Sequence, residues 1–277
     1  MLIGECVKRF EELSNLSDSA RLDVEILLAH VIGKDRTYLY TWPEKSITEH
    51  EYADFEVLLA RRKKGEPIAH IIGEREFWSL PLYTNASTLI PRPDTEILVE
   101  WLVDNIDIQA PLKILDLGTG TGAIAIALAS EFKNAEVTGV DFLTDSVTLA
   151  KKNVARHHLS NIRIFQSDWF SNVEGQFDFI VSNPPYIDES DPHLSEGDVR
   201  FEPMSALTAK QEGLADISYI LSASESYLAP NGGVLLEHGW RQAEAVQGIF
   251  ASEGFHDVET LQDYSGNDRI TLGWRKA

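Results

Sequence analysis

Apolar positions in the first 65 residues recur at helical spacing, as at Leu22, Ile26 and Ala29, and this periodicity predicts helices. Thr48 and Glu51 have the spacing of a capping box. They open a helix that carries Tyr52, Phe55 and Leu58 on one side and ends before Gly65. Its last turn, Arg61-Arg62-Lys63-Lys64, suits the negative end of a helix dipole. The result is a small helical bundle. Residues 66–93 differ in character, with β-favouring Ile71, Ile72, Phe77, Trp78 and Leu80 set among Gly73, Pro81, Pro91 and Pro93. A hairpin-like linker follows from that mixture.

From residue 94 a helix capped by Asp94 or Thr95 carries Ile97, Leu98, Trp101 and Leu102. Strand patterns then alternate with helical ones. KILDLG (113–118), EVTGVD (136–141), IRIFQSD (162–168), FDFIVSN (177–183) and GVLLEHG (233–239) read as strands. Such alternation predicts an α/β fold with a mainly parallel sheet covered on both faces. VETLQD (258–263) and RITLGW (269–274) flank a turn and close the chain as an antiparallel hairpin. The reading gives a helical domain at 1–83, a linker at 84–93 and an α/β domain at 94–277.

With 277 residues, 43% of them hydrophobic, two cores are within reach. No apolar run approaches the length of a membrane span, and the N-terminus lacks the apolar core of a signal peptide, so the expected location is cytoplasmic, away from membranes. The net charge of −20 disfavours nucleic acid as a partner, because phosphate backbones require broad basic surfaces. The charge is uneven: residues 1–83 carry 15 acidic and 11 basic side chains, against 29 and 13 in the remainder. Cys6 has no second cysteine to pair with and reads as a packed helix residue. No pair of histidines has a metal-helix spacing with a third ligand nearby, so no metal is expected.

Gly118-Thr119-Gly120-Thr121-Gly122 lies where the first parallel strand passes into the helix AIAIALAS, at the sheet edge where open α/β folds bind ligands. Glycines there let a ligand approach the backbone closely. Asp141, at the end of the next strand, is placed to accept hydrogen bonds from both hydroxyls of a ribose. Asp168 and Trp169 close the third strand, where a carboxylate suits an adenine amino group and an indole can flank the ring.

Asn183-Pro184-Pro185-Tyr186 follows the fourth strand. Two prolines fix the backbone and remove two donors, leaving outward carbonyl acceptors. A planar amino group, in a carboxamide or an aminopurine, is a poor nucleophile because its lone pair is delocalised. The Asn183 side-chain oxygen and the Pro184 carbonyl can bind its two hydrogens while Tyr186 stacks on the flat group. Catalysis is then orientation and electrostatics, with no strong base.

DLGTGTG, Asp141, Asp168-Trp169-Phe170 and SNPPYI together resemble class I methyltransferases acting on planar amino groups. From end to end the chain resembles the bacterial release factor glutamine methyltransferases, through EPIAHIIGEREFW (66–78), IPRPDTE (90–96) and DPHLSEGDVRFEP (191–203). The resemblance implies a Rossmann-like class I methyltransferase sheet with a small N-terminal helical bundle and a β-hairpin linker. It implies S-adenosyl-L-methionine as cofactor and S-adenosyl-L-homocysteine as product, with Gly118, Thr119, Gly120, Thr121, Gly122, Asp141, Asp168, Trp169 and Asn183 around the cofactor. Asn183, Pro184, Pro185 and Tyr186 would contact the substrate, the glutamine of the Gly-Gly-Gln loop of peptide chain release factors. The helical domain would help hold the factor.

Asn-Pro-Pro-Tyr also occurs in adenine methyltransferases of nucleic acid, and the strongly acidic charge weighs against that alternative. Glu237-His238 ends the fifth strand at the catalytic edge without an assigned role. The acidic stretch 187–213 is either a lid over the substrate or a solvated surface loop.

Overall fold

A computed structural model describes residues 1–276. Its contacts divide the chain into two units: Met1–Glu74 with His193–Phe201, and Arg75–Pro192 with the chain from Glu202 onward.

In the first unit, α1 (Ile3–Val7), α2 (Ala20–Ile32), α3 (Arg36–Thr41), α4 (Glu49–Lys63) and α5 (Ile68–Ile72) surround a core containing Val24, Leu27, Leu28, Phe55 and Leu59. Helix α4 opens on the expected capping box: Thr48 Oγ1 accepts from Glu51 N at 3.1 Å, and Glu51 Oε2 accepts from Thr48 N at 2.7 Å. The inward face of α2 is rotated from the expected one. Leu22 is exposed while Val24, Leu27 and Leu28 are fully buried, because the run VEILLA satisfies more than one helical phase. In α4 it is Leu59, beside Leu58, that is buried completely. Ile71 and Ile72 end a helix, not a strand.

Buried Arg62 fastens the distant segment of this unit: its Nε donates to Asp23 Oδ2 at 2.8 Å and its Nη1 to Asp198 Oδ1 at 2.9 Å. Cys6 is buried, and burial pushes its thiol above the usual range.

The second unit begins with the hairpin of β1 (Glu74–Phe77) and β2 (Leu80–Tyr83), turned at Trp78 and Ser79, both of positive φ. Phe77 and Leu82 join the same core cluster as Leu98 and Leu102 of α6 (Glu96–Asn105). Those contacts place the division near Glu74, ahead of the hairpin, where the sequence reading places it after residue 83.

β3 (Lys113–Leu117), α7 (Ala123–Glu131), β4 (Glu136–Asp141), α8 (Thr144–Arg156) and β5 (Ile162–Gln166) alternate as expected, and a loop without a helix then leads to β6 (Phe177–Ser182). Short β7 (Ile187–Asp188) and β8 (Thr208–Ala209) pair in parallel within the acidic stretch. Then come α9 (Ala215–Ser224), β9 (Leu228–Glu237), α10 (Ala243–Ser252) and the hairpin β10 (His256–Gln262)–β11 (Asp268–Trp274). Seven strands form one sheet in the order β10-β11-β9-β6-β3-β4-β5. Among the described strands of this sheet, β11 runs against the direction shared by the other six.

Alternate residues of each strand enter opposite cores, Ile114 with Val181 on one face and Leu115 with Ile180 on the other. The fold is therefore α/β, Rossmann-like and covered on both faces. Strand order reverses at β3, between β4 and β6. Ligands bind at such a switch point, beyond the carboxyl ends of the strands. Among the described residues no helix is long and apolar enough to cross a membrane.

Candidate functional site

A cleft of about 350 Å³ opens at that switch point, within the size range of small-molecule sites. It is lined by Gly118, Thr119, Gly120 and Thr121 after β3, Asp141 and Phe142 after β4, Asp168 and Trp169 after β5, and Asn183 and Pro185 after β6. Four strand ends thus deliver most of the residues singled out from the sequence to one cavity, while Gly122, Pro184 and Tyr186 are not among its lining.

The glycine loop turns through three left-handed residues, Gly118, Gly120 and Gly122, with φ of 68°, 55° and 84°. A side chain at Gly122 would press on Ile126 and Ala150. Beneath the loop, fully buried Asp116 accepts from Thr119 Oγ1 at 2.6 Å and from Ala125 N at 3.2 Å through Oδ2. Burial pushes its carboxyl up to about 7.

Asp141 accepts from Gly120 N through Oδ2 and from Leu143 N through Oδ1, each at 2.9 Å. Burial raises this carboxyl too, against the opposing effect of those N–H donors. The Ser146 side chain is a further hydrogen-bonding partner of this carboxylate, whose two oxygens together offer about four acceptor positions. Trp169 takes a left-handed φ of 46°, held by Ser167 Oγ donating to its carbonyl at 2.7 Å. The carboxyl of Asp216 also lines the cleft and is raised by burial and by Asp168.

Asn183 stands half-buried at the end of β6, with its Nδ2 donating to Thr95 Oγ1 at 3.1 Å. Thr95 Oγ1 donates in turn to Glu237 Oε2 at 2.5 Å, and Tyr186 OH donates to Glu237 Oε1 at 3.1 Å. Burial and the adjacent Glu237 push the Tyr186 phenol far above its usual range, so it remains a donor. Glu237 is buried and pushed up to about 7. Pro184 is buried, and neither it nor Tyr186 lines the cleft, whereas Pro185 does.

Two curated proteins match nearly the whole chain. The release factor glutamine methyltransferase of Shewanella oneidensis is 53% identical over 265 residues, spanning 95% of this chain and 92% of that protein. That of Escherichia coli (strain K12) is 54% identical over 266 residues, spanning 95% and 96%.

The chain belongs to the release factor glutamine methyltransferase family. Two family descriptions divide it: a PrmC N-terminal domain matches residues 2–73, and a methyltransferase small domain matches residues 93–197. Among solved structures, a methyltransferase from Pyrococcus furiosus superposes with a TM-score of 0.54 at 20% identity, covering 79% of this chain and 98% of that one. At that identity the likeness shows the fold.

Four cleft residues of this family member escape a reading of the sequence. Phe142 is exposed on the rim beside Asp141. Thr88 is buried, its Oγ1 has no hydrogen-bond partner among the described residues, and it lines the cleft. Asp216 comes from the start of α9, far along the chain. Thr95, expected as a possible helix cap, makes no capping hydrogen bond and directs its hydroxyl to Glu237 instead. Only Thr95 carried a signal, its polarity at a helix start, and that signal pointed to a different role.

Proposed function

We propose that this chain methylates the side-chain amide nitrogen (N5) of the glutamine in the Gly-Gly-Gln loop of peptide chain release factors, using S-adenosyl-L-methionine. When bound, the cofactor supplies the methyl group and leaves as S-adenosyl-L-homocysteine. The cleft residues suit it. Gly118 to Gly122 clear backbone room, Asp141 offers acceptors to the ribose hydroxyls, and Asp168 and Trp169 offer an acceptor and a ring face to adenine.

One observation carries the assignment of the reacting group: Asn183 spends its NH2 on Thr95, so its carbonyl oxygen is the end left for a ligand. An acceptor there binds an amide N–H. The Pro184 carbonyl takes the second N–H, and both bonds strengthen as positive charge develops on nitrogen. Tyr186, three residues beyond Asn183 and held by Glu237, would meet the flat amide from outside the cofactor cleft. The amide nitrogen gains the methyl carbon and sheds one proton to solvent, so no strong base is needed.

The helical unit, matched by the PrmC N-terminal domain, docks the body of the factor in this reading. Contacts remote from the glutamine then orient it. The relatives' protein substrate and the net charge of −20 both favour a protein amide over adenine in nucleic acid. The test is mass spectrometry of a release factor incubated with the chain and cofactor. One methyl group on the Gly-Gly-Gln glutamine is expected. An unmodified glutamine, under conditions where the chain binds cofactor, would overturn the proposal.

A further inference from the structure

Asn183 is useful to an amide substrate in only one orientation. Rotated by half a turn, its side chain would offer NH2 to the substrate NH2, two donors facing each other. What selects the orientation is a chain of hydrogen bonds that ends outside the cleft. Glu237 is 1% exposed and lies at the end of β9, and its two oxygens take the protons of Thr95 and Tyr186. The Thr95 hydroxyl has one proton. Once Glu237 accepts it, Thr95 can only accept from Asn183, so Asn183 must turn its NH2 to Thr95.

We infer that Glu237, acting through Thr95, is the positioning residue that fixes the Asn183 amide with its oxygen available to the substrate, while its other oxygen anchors Tyr186. This inference rests on the methyl-transfer reading above. Two residues widely separated in sequence, Thr95 and Tyr186, converge on a single buried carboxylate, and Asn183 joins it through Thr95. The helix start gives up the side-chain cap that Thr95 would otherwise supply. Buried polar networks of this kind specify one arrangement when every member is satisfied.

The test is a double-mutant cycle on the full chain, with turnover measured on a Gly-Gly-Gln peptide. Thr95→Val keeps the shape of Thr95 and removes its hydroxyl. It should lower kcat about ten- to a hundredfold, the order expected for a misplaced catalytic group, with cofactor affinity little changed and Tm lowered because buried Glu237 loses a donor. Thr95→Ser restores the hydroxyl and should recover most of that loss. In an Asn183→Ala background the Val substitution should cost less than about twofold, because residues acting as a unit are not additive. Glu237→Gln should lower kcat in wild type and lose in the same background the part of that effect that passes through Thr95, keeping only the part that passes through Tyr186.

An unchanged kcat in Thr95→Val overturns the inference, as does a loss that is as large in the Asn183→Ala background. If Thr95→Val does not fold, the Glu237→Gln arm decides by the same criteria. A wild-type chain that leaves the glutamine unmodified defeats the methyl-transfer reading instead, so the two failures are distinct.

Discussion

The Gly120 N–H donates to Asp141 Oδ2 at 2.9 Å, so the glycine loop and the acid at the end of the neighbouring strand are one hydrogen-bonded structure. Asp141→Ala therefore removes a tether from the loop and, in the proposed reading, the acceptors offered to the ribose. Hydrogen bonds to a charged group contribute about 1.5–3 kcal/mol each, and about 1.4 kcal/mol is tenfold. Cofactor affinity should fall at least tenfold. Titration calorimetry on the folded variant checks it, and unchanged affinity would remove Asp141 from the ribose site.

Asn183→Ala is expected to lower kcat on a Gly-Gly-Gln peptide by about a hundredfold, the order seen when one oriented electrostatic partner is removed. Cofactor affinity should move far less. Near-normal turnover would leave the Asn183 oxygen without a part in the reaction.

The motifs were legible because residue type alone carries their backbone demands. Three glycines do turn through positive φ, and Asn183 follows β6 directly. The alternating strands were legible from periodicity. The phase of α2 was not, since adjacent Ile26, Leu27 and Leu28 fit several helical faces and only packing chose among them. Glu237 carried no local sign of its role, because Thr95 and Tyr186 reach it from distant stretches of chain and Asn183 joins only through Thr95. A contact network of that range has no period to read.

Asp116 makes stability depend on pH. Its carboxyl is raised from an ordinary value of 3.8 to about 7 by burial, so the folded state holds a proton that the unfolded state releases. The stabilisation is complete below about pH 4 and is lost as pH rises through about 7. A shift of this size corresponds to roughly 4 kcal/mol at most. Asp116→Asn should therefore gain steadily on wild type between about pH 4 and pH 7, so that the difference between the two is larger at pH 8 than at pH 5. Urea denaturation at both values measures this; an identical pH response in the two proteins would contradict it.

Glu237 gives turnover a pH dependence. Its carboxyl faces Thr95, Tyr186 and the Arg269 guanidinium, with Asp94 opposing Arg269, and Arg92 bears on Tyr186. His238, lowered by burial, stays neutral near pH 7. Below about 7 Glu237 gains a proton and becomes a donor toward Thr95 or Tyr186, which frees the Thr95 proton to point at Asn183. The wild-type kcat should fall as pH drops from 8 to 6, while Glu237→Gln should show a lower plateau without that step. Profiles at saturating cofactor and peptide make the comparison. A step retained in Glu237→Gln would assign the titration to another group.

Arg62 tests whether the ion pairs of the helical unit stabilise it or only satisfy one another. Asp23, 4% exposed, accepts from Arg62 Nε at 2.8 Å and from Ser19 Oγ at 3.0 Å. Removing Arg62 alone leaves a buried carboxylate without its cation, a change that costs about 3–5 kcal/mol in comparable sites. Arg62→Met should therefore be strongly destabilising. Replacing both partners with apolar side chains, Arg62→Met with Asp23→Leu, removes the stranded charge as well as the pair, and such replacements are often neutral. Arg62 also donates to the Glu66 carbonyl at 3.0 Å and to Asp198. Asp198, with 42% of its side chain exposed, can turn to water. The double variant should thus regain most of the stability lost by Arg62→Met, though not all, because the Glu66 carbonyl loses a donor. Urea midpoints for the two single variants and the double give the coupling. A double variant no more stable than Arg62→Met would mean that the arginine acts through its bonds to Glu66 and Asp198, with Asp23 contributing little.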